Sequence, residues 1–230
     1  SIADLVSQAE MLDLMELPPE AVLVIHVGGT YGDIPAARQR WVDTWQRLPE
    51  PVQRRLVLEH DDLRFSAADV LWIHERTGVR LIFDYQHFWC LNPERADLRE
   101  TVERILASWP SNQQPKMHFS SPRTELREQI RVDKKTKKKT THHVAPVFTG
   151  HADFVNPFEF ATLMRTLDGL NFDIMLEAKA KDLALLRLRP DLLRYAPDVA
   201  ARFGLELSEA PALEAQEDEV LEEVEVAGGA

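Results

Sequence analysis

The sequence predicts an α/β fold, a TIM-type (β/α)8 barrel represented by about five to six βα units and followed by an acidic tail. Three observations lead there. Strand-like apolar runs alternate with amphipathic, helix-like segments along most of the chain. The strand-like runs are apolar almost without interruption, as in a parallel sheet covered on both faces. One after another they deliver side chains able to serve a metal site: His26, Glu59, Asp84 with His87, Lys116 with His118, His151 and Glu177. A parallel barrel brings the C-terminal end of every strand to one rim, where its site lies. A doubly wound sheet draws on only a couple of strands at a switch point. Contributions from five or six strands therefore favour the barrel.

Residues 3–16 read as a helix, with Leu5, Val6, Ala9, Leu12 and Met15 at helical spacing. Residues 21–27 (AVLVIHV) are a near-continuous β-branched run closed by Gly28 and Gly29. A helix over 36–46 sets Trp41 and Trp45 on one face, and 56–59 is a short buried strand. Ser66 stands at an N-cap position and opens a helix through Arg76, which Gly78 stops. The next strand is 79–84 (VRLIFD), the next helix 95–107, and 116–119 (KMHF) is another strand. A long polar loop spans 120–150. The alternation resumes with a strand at 151–155, a helix at 157–167, a strand at 172–177 and a helix from 179 onward. Five good strands and a marginal one fall short of the eight that closure requires. Two to three N-terminal βα units are therefore expected to lie outside this chain.

Hydrophobic content of 44% suffices for one sizeable core, so one domain is the default. No apolar run reaches the roughly 18 to 20 residues that span a membrane, and no cationic leader with a cleavage site opens the sequence. The single cysteine, Cys90, excludes an intramolecular disulfide and fits a reducing compartment. A soluble cytoplasmic protein is the expectation. The formal charge of −11 argues against a nucleic-acid partner until its distribution is considered. From Ala201 onward stand nine acidic residues and one basic, and the remainder carries 29 acidic against 26 basic. The run Lys134-Lys135-Thr136-Lys137-Lys138-Lys139 is the opposite extreme. It reads as a solvated loop, with contact to DNA phosphate as the alternative.

Any one strand-end carboxylate is often just a cap or an ion-pair partner. Glu59 in LVLEHDD, Asp84 in LIFDYQH and Glu177 in DIMLEAK are harder to dismiss together, because like charges on one rim repel unless cations neutralise them. His26, inside an apolar run, reads equally well as a satisfied core histidine. His87 follows Asp84 by three residues, so the two can converge as the chain leaves the strand. Lys116 and His118, two apart, share a strand face. Imidazole mixed with carboxylate suits Zn, Mn or Fe. Four histidines (His26, His87, His118 and His151) with three carboxylates exceed what one ion uses, which implies two or three ions. Such clusters catalyse in-line phosphodiester hydrolysis. Lys116 is out of place in a cationic site unless it acts as an electrophile or its amine is converted to an anion. The other candidates have blander readings: His74 as a structural histidine, His142 and His143 as surface residues, Cys90 as an unactivated thiol, and the glycines after residue 27 as a tight turn.

At these residues the sequence resembles the UV-damage endonucleases, relatives of the endonuclease IV group of AP endonucleases. The blocks VIHVGGTYGD, LVLEHDD, FDYQHFWCLNP, PKMHFSSP, GHADFV and DIMLEAKAKDLALL occur in the family's order across residues 1–187. The resemblance implies a DNA repair endonuclease that nicks the phosphodiester 5′ to cyclobutane dimers, 6-4 photoproducts and some abasic sites without ATP. It implies a cluster of up to three divalent ions, foremost Mn2+, with Mg2+, Zn2+ or Co2+ as alternatives. His26, Glu59, Asp84, His87, His118, His151 and Glu177 fall on the family's metal-ligand positions. Lys116 falls on its active-site lysine, which can be carboxylated, and Glu59, Lys116 and Glu177 are the expected catalytic residues. The implied partner is damaged double-stranded DNA, met by a monomer away from any membrane. Residues 1–203 would then be the C-terminal portion of a TIM-barrel nuclease domain, and 204–230 an acidic, disordered tail.

Three departures accompany the resemblance. No segment matches the family's N-terminal strands, which carry a further ligand histidine and a lesion-probing Gln-Tyr pair. His60 stands where the motif usually has asparagine. The loop over 123–149 is longer than the family pattern. A metal-dependent sugar isomerase or epimerase on a related barrel, and an inactive barrel fragment that only binds DNA, are the alternative readings.

Overall fold

The computed structural model describes residues 1–206, so the tail expected at 204–230 lies almost wholly outside the described residues. Seven strands are present among them: β1 (Leu23–His26), β2 (Leu56–Glu59), β3 (Arg80–Asp84), β4 (Lys116–Phe119), β5 (Arg127–Val132), β6 (Lys139–Val144) and β7 (Asp173–Leu176). Five of these form one parallel sheet in the order β1-β2-β3-β4-β7, while β5 and β6 pair only with each other. The strand order never reverses, as it must in a doubly wound sheet. The sheet is thus an arc of a TIM-type barrel, incomplete at five strands.

Nine helices accompany the described strands: α1 (Ile2–Leu14), α2 (Ile34–Trp45), α3 (Glu50–Arg55), α4 (Ala67–Thr77), α5 (Tyr85–Cys90), α6 (Leu98–Leu106), α7 (Pro157–Thr166), α8 (Asp182–Tyr195) and α9 (Pro197–Arg202). Helix α4 begins at a reciprocal cap, in which Asp69 accepts the Ser66 amide at 2.9 Å, and it ends where Gly78 turns left-handed at φ 71°. The outward side chains of the central strands, among them Leu58, Leu81, Phe83, Met117 and Phe119, pack against helices in the main core. Strands β2 and β3 are buried along their whole length, whereas the edge strands β1 and β7 alternate between partly buried and exposed residues. That difference is why β2 and β3 read as unbroken apolar runs.

Beneath the sheet two arginines fix the approach to it. Arg55 is buried and uses its whole fork: Nε and Nη2 donate to Asp13 at 3.0 and 2.7 Å, Nη2 to the Leu17 carbonyl at 2.9 Å, and Nη1 to the carbonyls of Pro18 and Ala21 at 2.5 and 3.1 Å. The segment leading into β1 is thereby tied to the end of α3. Arg80 does the same for β3, donating to Gln113 and to the carbonyls of Pro19 and Arg54.

Two expectations need correction. The stretch 120–150 is not a featureless loop, because it contains the β5–β6 hairpin. Residues 151–155 are not a strand. His151 makes only an isolated bridge to Pro122, which has no amide to extend a ladder. Helices α3, α5 and α9 were not anticipated as separate elements. No helix among the described residues is long and apolar enough to cross a membrane.

Candidate metal centre

Side chains of one sheet face point inward in two layers. Val57, Ile82 and Trp109 form a buried apolar floor. Above it, at the C-terminal ends of the strands, the inward positions are polar. The register sets His26 beside Glu59 and Asp84 beside His118, and Glu177 follows directly after β7, its amide bonded to the Phe119 carbonyl at 2.9 Å.

Glu59 is the hub. One carboxylate oxygen lies 3.1 Å from His118 Nδ1 and 3.3 Å from His87 Nδ1, and the other lies 3.8 Å from His26 Nε2. His118 Nδ1 is also 3.2 Å from Glu177, whose second oxygen is 3.7 Å from His151. The His26 and His87 rings are 5.5 Å apart and those of His87 and His151 6.4 Å apart. Burial falls outward, from Asp84 at 0% exposed through Glu59 and His118 at 4% to the half-buried His151 and the exposed His26.

Asp84 has two roles, one for each oxygen. It ends β3 and also caps α5, with Oδ1 accepting the His87 amide at 2.7 Å. That cap is what turns the spacing of three into a convergence of Asp84 with His87. Oδ2 is fully buried and has no hydrogen-bond partner. A buried, unpartnered carboxylate oxygen costs on the order of 1–3 kcal/mol or more unless a proton or a cation meets it. Among the described residues, two groups of side chains are close enough to hold an ion, Glu59 with Asp84 and His87, and Asp84 with His118 and Glu177, each with donor atoms within 4.8 Å of one another. Asp84 belongs to both. The donor set fits a pair of divalent ions sharing that carboxylate.

His60, flagged in the sequence only as a departure, proves central to the packing. Its Nε2 accepts the Asp84 amide at 3.0 Å, and its carbonyl lies 3.0 Å from His87 Nδ1. A proton on His87 Nδ1 directed at this carbonyl leaves Nε2 with its lone pair free, as metal-ligating histidines require. Lys116 shares the inner face with His118 one layer below, where its Nζ meets Asp173 at 2.8 Å rather than any of the clustered carboxylates. His74 is tied to the Val79 carbonyl at 2.7 Å, away from the cluster, and His142 and His143 lie on the hairpin.

The charges in this cluster are strongly coupled. Burial would raise Glu59, but hydrogen bonds from His118 and His87 outweigh it and hold the carboxyl well below the ordinary range. Burial would lower His87, yet its bond to Glu59 and the charge of Asp84 push it up to about 9. His118 is raised for the same reason, and burial raises Asp84. Burial and the neighbouring His87 push His60 down to about 3.

The ion-free protein is therefore expected to be most stable near pH 6.5. Below that, the unfolded chain protonates His60 while the fold keeps it neutral, so stability declines as pH falls. Above it, the unfolded chain releases protons that folded His87 and His118 retain, so their contribution is lost as pH rises through about 9. Melting in chelator from pH 5 to 10 should trace a dome, with a loss on the order of 5 °C at each end. A flat profile would contradict these assignments.

Known proteins resemble this chain in sequence and in fold. The family described as UV-endonuclease UvdE matches residues 1–205. Relatives named UV DNA damage endonuclease, from Bacillus velezensis and Bacillus pumilus, are 32% and 33% identical over 195 residues, covering 84% of this chain and 55% of each relative. The chain thus spans about half the length of the curated relatives it matches. The crystal structure of SacUVDE is similar at a TM-score of 0.66 and 29% identity, over 84% of this chain and 58% of that one. With the family matched across nearly all of the described residues and the barrel arc shared with a solved structure, the chain belongs to the UV-endonuclease UvdE family.

Proposed function

We propose that this chain forms the metal-binding half of a DNA repair endonuclease that nicks the phosphodiester 5′ to UV photoproducts, cyclobutane dimers and 6-4 photoproducts, and acts on abasic sites, without ATP. The observation that carries the reading is the buried, unpartnered Asp84 Oδ2 inside a ring of histidines and carboxylates at the strand ends. The names of the relatives support it. His26, Glu59, Asp84, His87, His118, His151 and Glu177 are the proposed ligands of up to three ions, with Mn2+ the favoured metal. Bound divalent ions would supply an acidified water and a counter-charge to the scissile phosphate. Glu59 and Glu177 both approach Nδ1 of His118, at 3.1 and 3.2 Å, and so orient its ring within the cluster. Lys116, the third proposed catalytic residue, reaches the same face from the layer below, where Asp173 holds its amine. A damaged nucleotide leaves the stack at lower cost than an intact one, which favours lesions over normal sequence. The partner in this proposal is damaged duplex DNA in the cytoplasm, met by a monomer.

The test is nicking of UV-irradiated against unirradiated supercoiled plasmid by the natural full-length protein with Mn2+, with Glu59→Ala as the control. Irradiation-dependent nicks that vanish in the variant are expected. Intact plasmid from a folded, metal-loaded protein would overturn the reading and favour sugar isomerisation at the same cluster.

A further inference from the structure

The β5–β6 hairpin leaves the sheet from the rim of the metal cluster. Its two legs are held side by side there. Pro122 bridges His151, the Arg123 amide donates to the Gly150 carbonyl at 2.7 Å, and Gln86 on α5 donates to the carbonyls of Phe148 and Gly150 at 2.8 and 3.3 Å. Beyond this root the hairpin pairs only with itself, and residues 128–143 are exposed throughout. A solitary two-stranded ribbon is marginal in water, so an extended one with no packing face of its own calls for a partner.

Its chemistry specifies that partner. Residues 127–144 contain Arg127, Arg131 and five lysines against only Glu128 and Asp133, in a chain whose net charge is −11. Both acids are already engaged. Glu128 lies 3.4 Å from His143 across the ladder, and Asp133 accepts the amides of Lys135 and Thr136 at 2.9 and 2.7 Å to shape the turn. No ion pair involves any of the five lysines among the described residues. Strand alternation places Arg127, Gln129 and Arg131 on one face, opposite Val144, His142 and Thr140, so that face carries no acidic group. The turn adds Lys134, Lys135, Lys137 and Lys138 at the tip.

We infer that this hairpin is a phosphate-gripping arm for duplex DNA, working beside the metal cluster on the substrate of the function proposed above. Six residues per strand at about 3.3 Å each give a reach of roughly 20 Å. At about 3.4 Å per base pair, that reach corresponds to roughly six base pairs of duplex. The lysines and arginines contribute affinity without sequence preference, because phosphate carries no base identity.

The experiment is duplex binding by the natural full-length protein as a function of salt. Wild type is compared with a variant in which Lys134, Lys135, Lys137, Lys138 and Lys139 are all serine, and with one in which all five are arginine. With three phosphates engaged, the slope of log affinity against log salt is expected to shrink by about 3 in the serine variant. Affinity near 0.1 M salt should fall by at least tenfold, equally on irradiated and intact duplex, while the arginine variant keeps the wild-type slope. Where nicking is measured, the loss should appear in KM and grow with salt. Serine and wild-type slopes agreeing within 0.5, or a loss confined to single strands, would overturn the arm. Failure of the nuclease reading looks different: wild type would bind duplex yet leave irradiated plasmid intact, and the slopes would still decide what the hairpin does.

Discussion

Glu59→Gln is expected to slow incision by about three orders of magnitude, equivalent to roughly 4 kcal/mol of barrier. The change keeps the shape of the side chain and removes its charge. Three imidazoles face this carboxylate, those of His26, His87 and His118, at 3.8, 3.3 and 3.1 Å. An amide cannot balance two divalent ions, and its NH2 group would oppose any imidazole proton turned toward it. The proposed ligand set should therefore lose metal as well as activity. Single-turnover nicking, read together with Mn2+ content after gel filtration, checks both. A rate within tenfold of wild type with full metal content would remove Glu59 from the catalytic set. Glu177→Gln is expected to cost less, because that carboxylate is more exposed and touches only His118 and His151.

Arg55→Ala is expected to be the most damaging change outside the cluster, at about 3 kcal/mol of stability. This guanidinium donates five hydrogen bonds, three of them to carbonyls of the segment that leads into β1. Alanine would strand those carbonyls and one Asp13 oxygen at the base of the sheet. For a protein of this size the melting temperature should fall by roughly 6–12 °C. Arg55→Lys should recover only part of the loss, since an ammonium cannot reproduce the planar fork. Because β1 bears His26, metal affinity is expected to weaken in parallel. A melting temperature within 2 °C of wild type would show that the segment holds without its clamp.

The sheet was legible in the sequence because both faces of β2 and β3 are covered, which leaves unbroken runs such as Leu56 to Leu58 and Leu81 to Phe83. The cluster was legible because strand ends are where a parallel barrel collects polar groups, and seven of the residues singled out do lie along one connected rim. The pairing of Lys116 with Asp173 was not legible, since 57 residues separate them and only the β4–β7 register brings them together. Helix α5 leaves an ambiguous trace: Asp84-x-x-His87 is N-cap spacing as well as ligand spacing. The hairpin was hidden by its turn. Turns of this kind usually advertise themselves with glycine, but here Lys137 adopts the left-handed conformation at φ 58°. Its strands also lack the apolar alternation of a half-buried sheet, because neither face is buried. The importance of His60 lay in its backbone contacts as much as in its imidazole, and a sequence motif records only the side chain.

The staggered register of the five parallel strands has one more implication. Along a strand, successive side chains point to opposite faces. A slip of one residue in β2 would present Leu58 in place of Glu59, and in β4 Met117 or Phe119 in place of His118. The proposed ligands come from β1, β2, the β3–α5 junction, β4, the segment after the hairpin and the turn after β7, so no subset of the chain can assemble the cluster with another part out of step. The candidate metal centre would thus act as a checksum on the sheet: an ion bound with full affinity would certify that strands from residue 23 to residue 176 are aligned, and a misthreaded chain would identify itself by failing to bind.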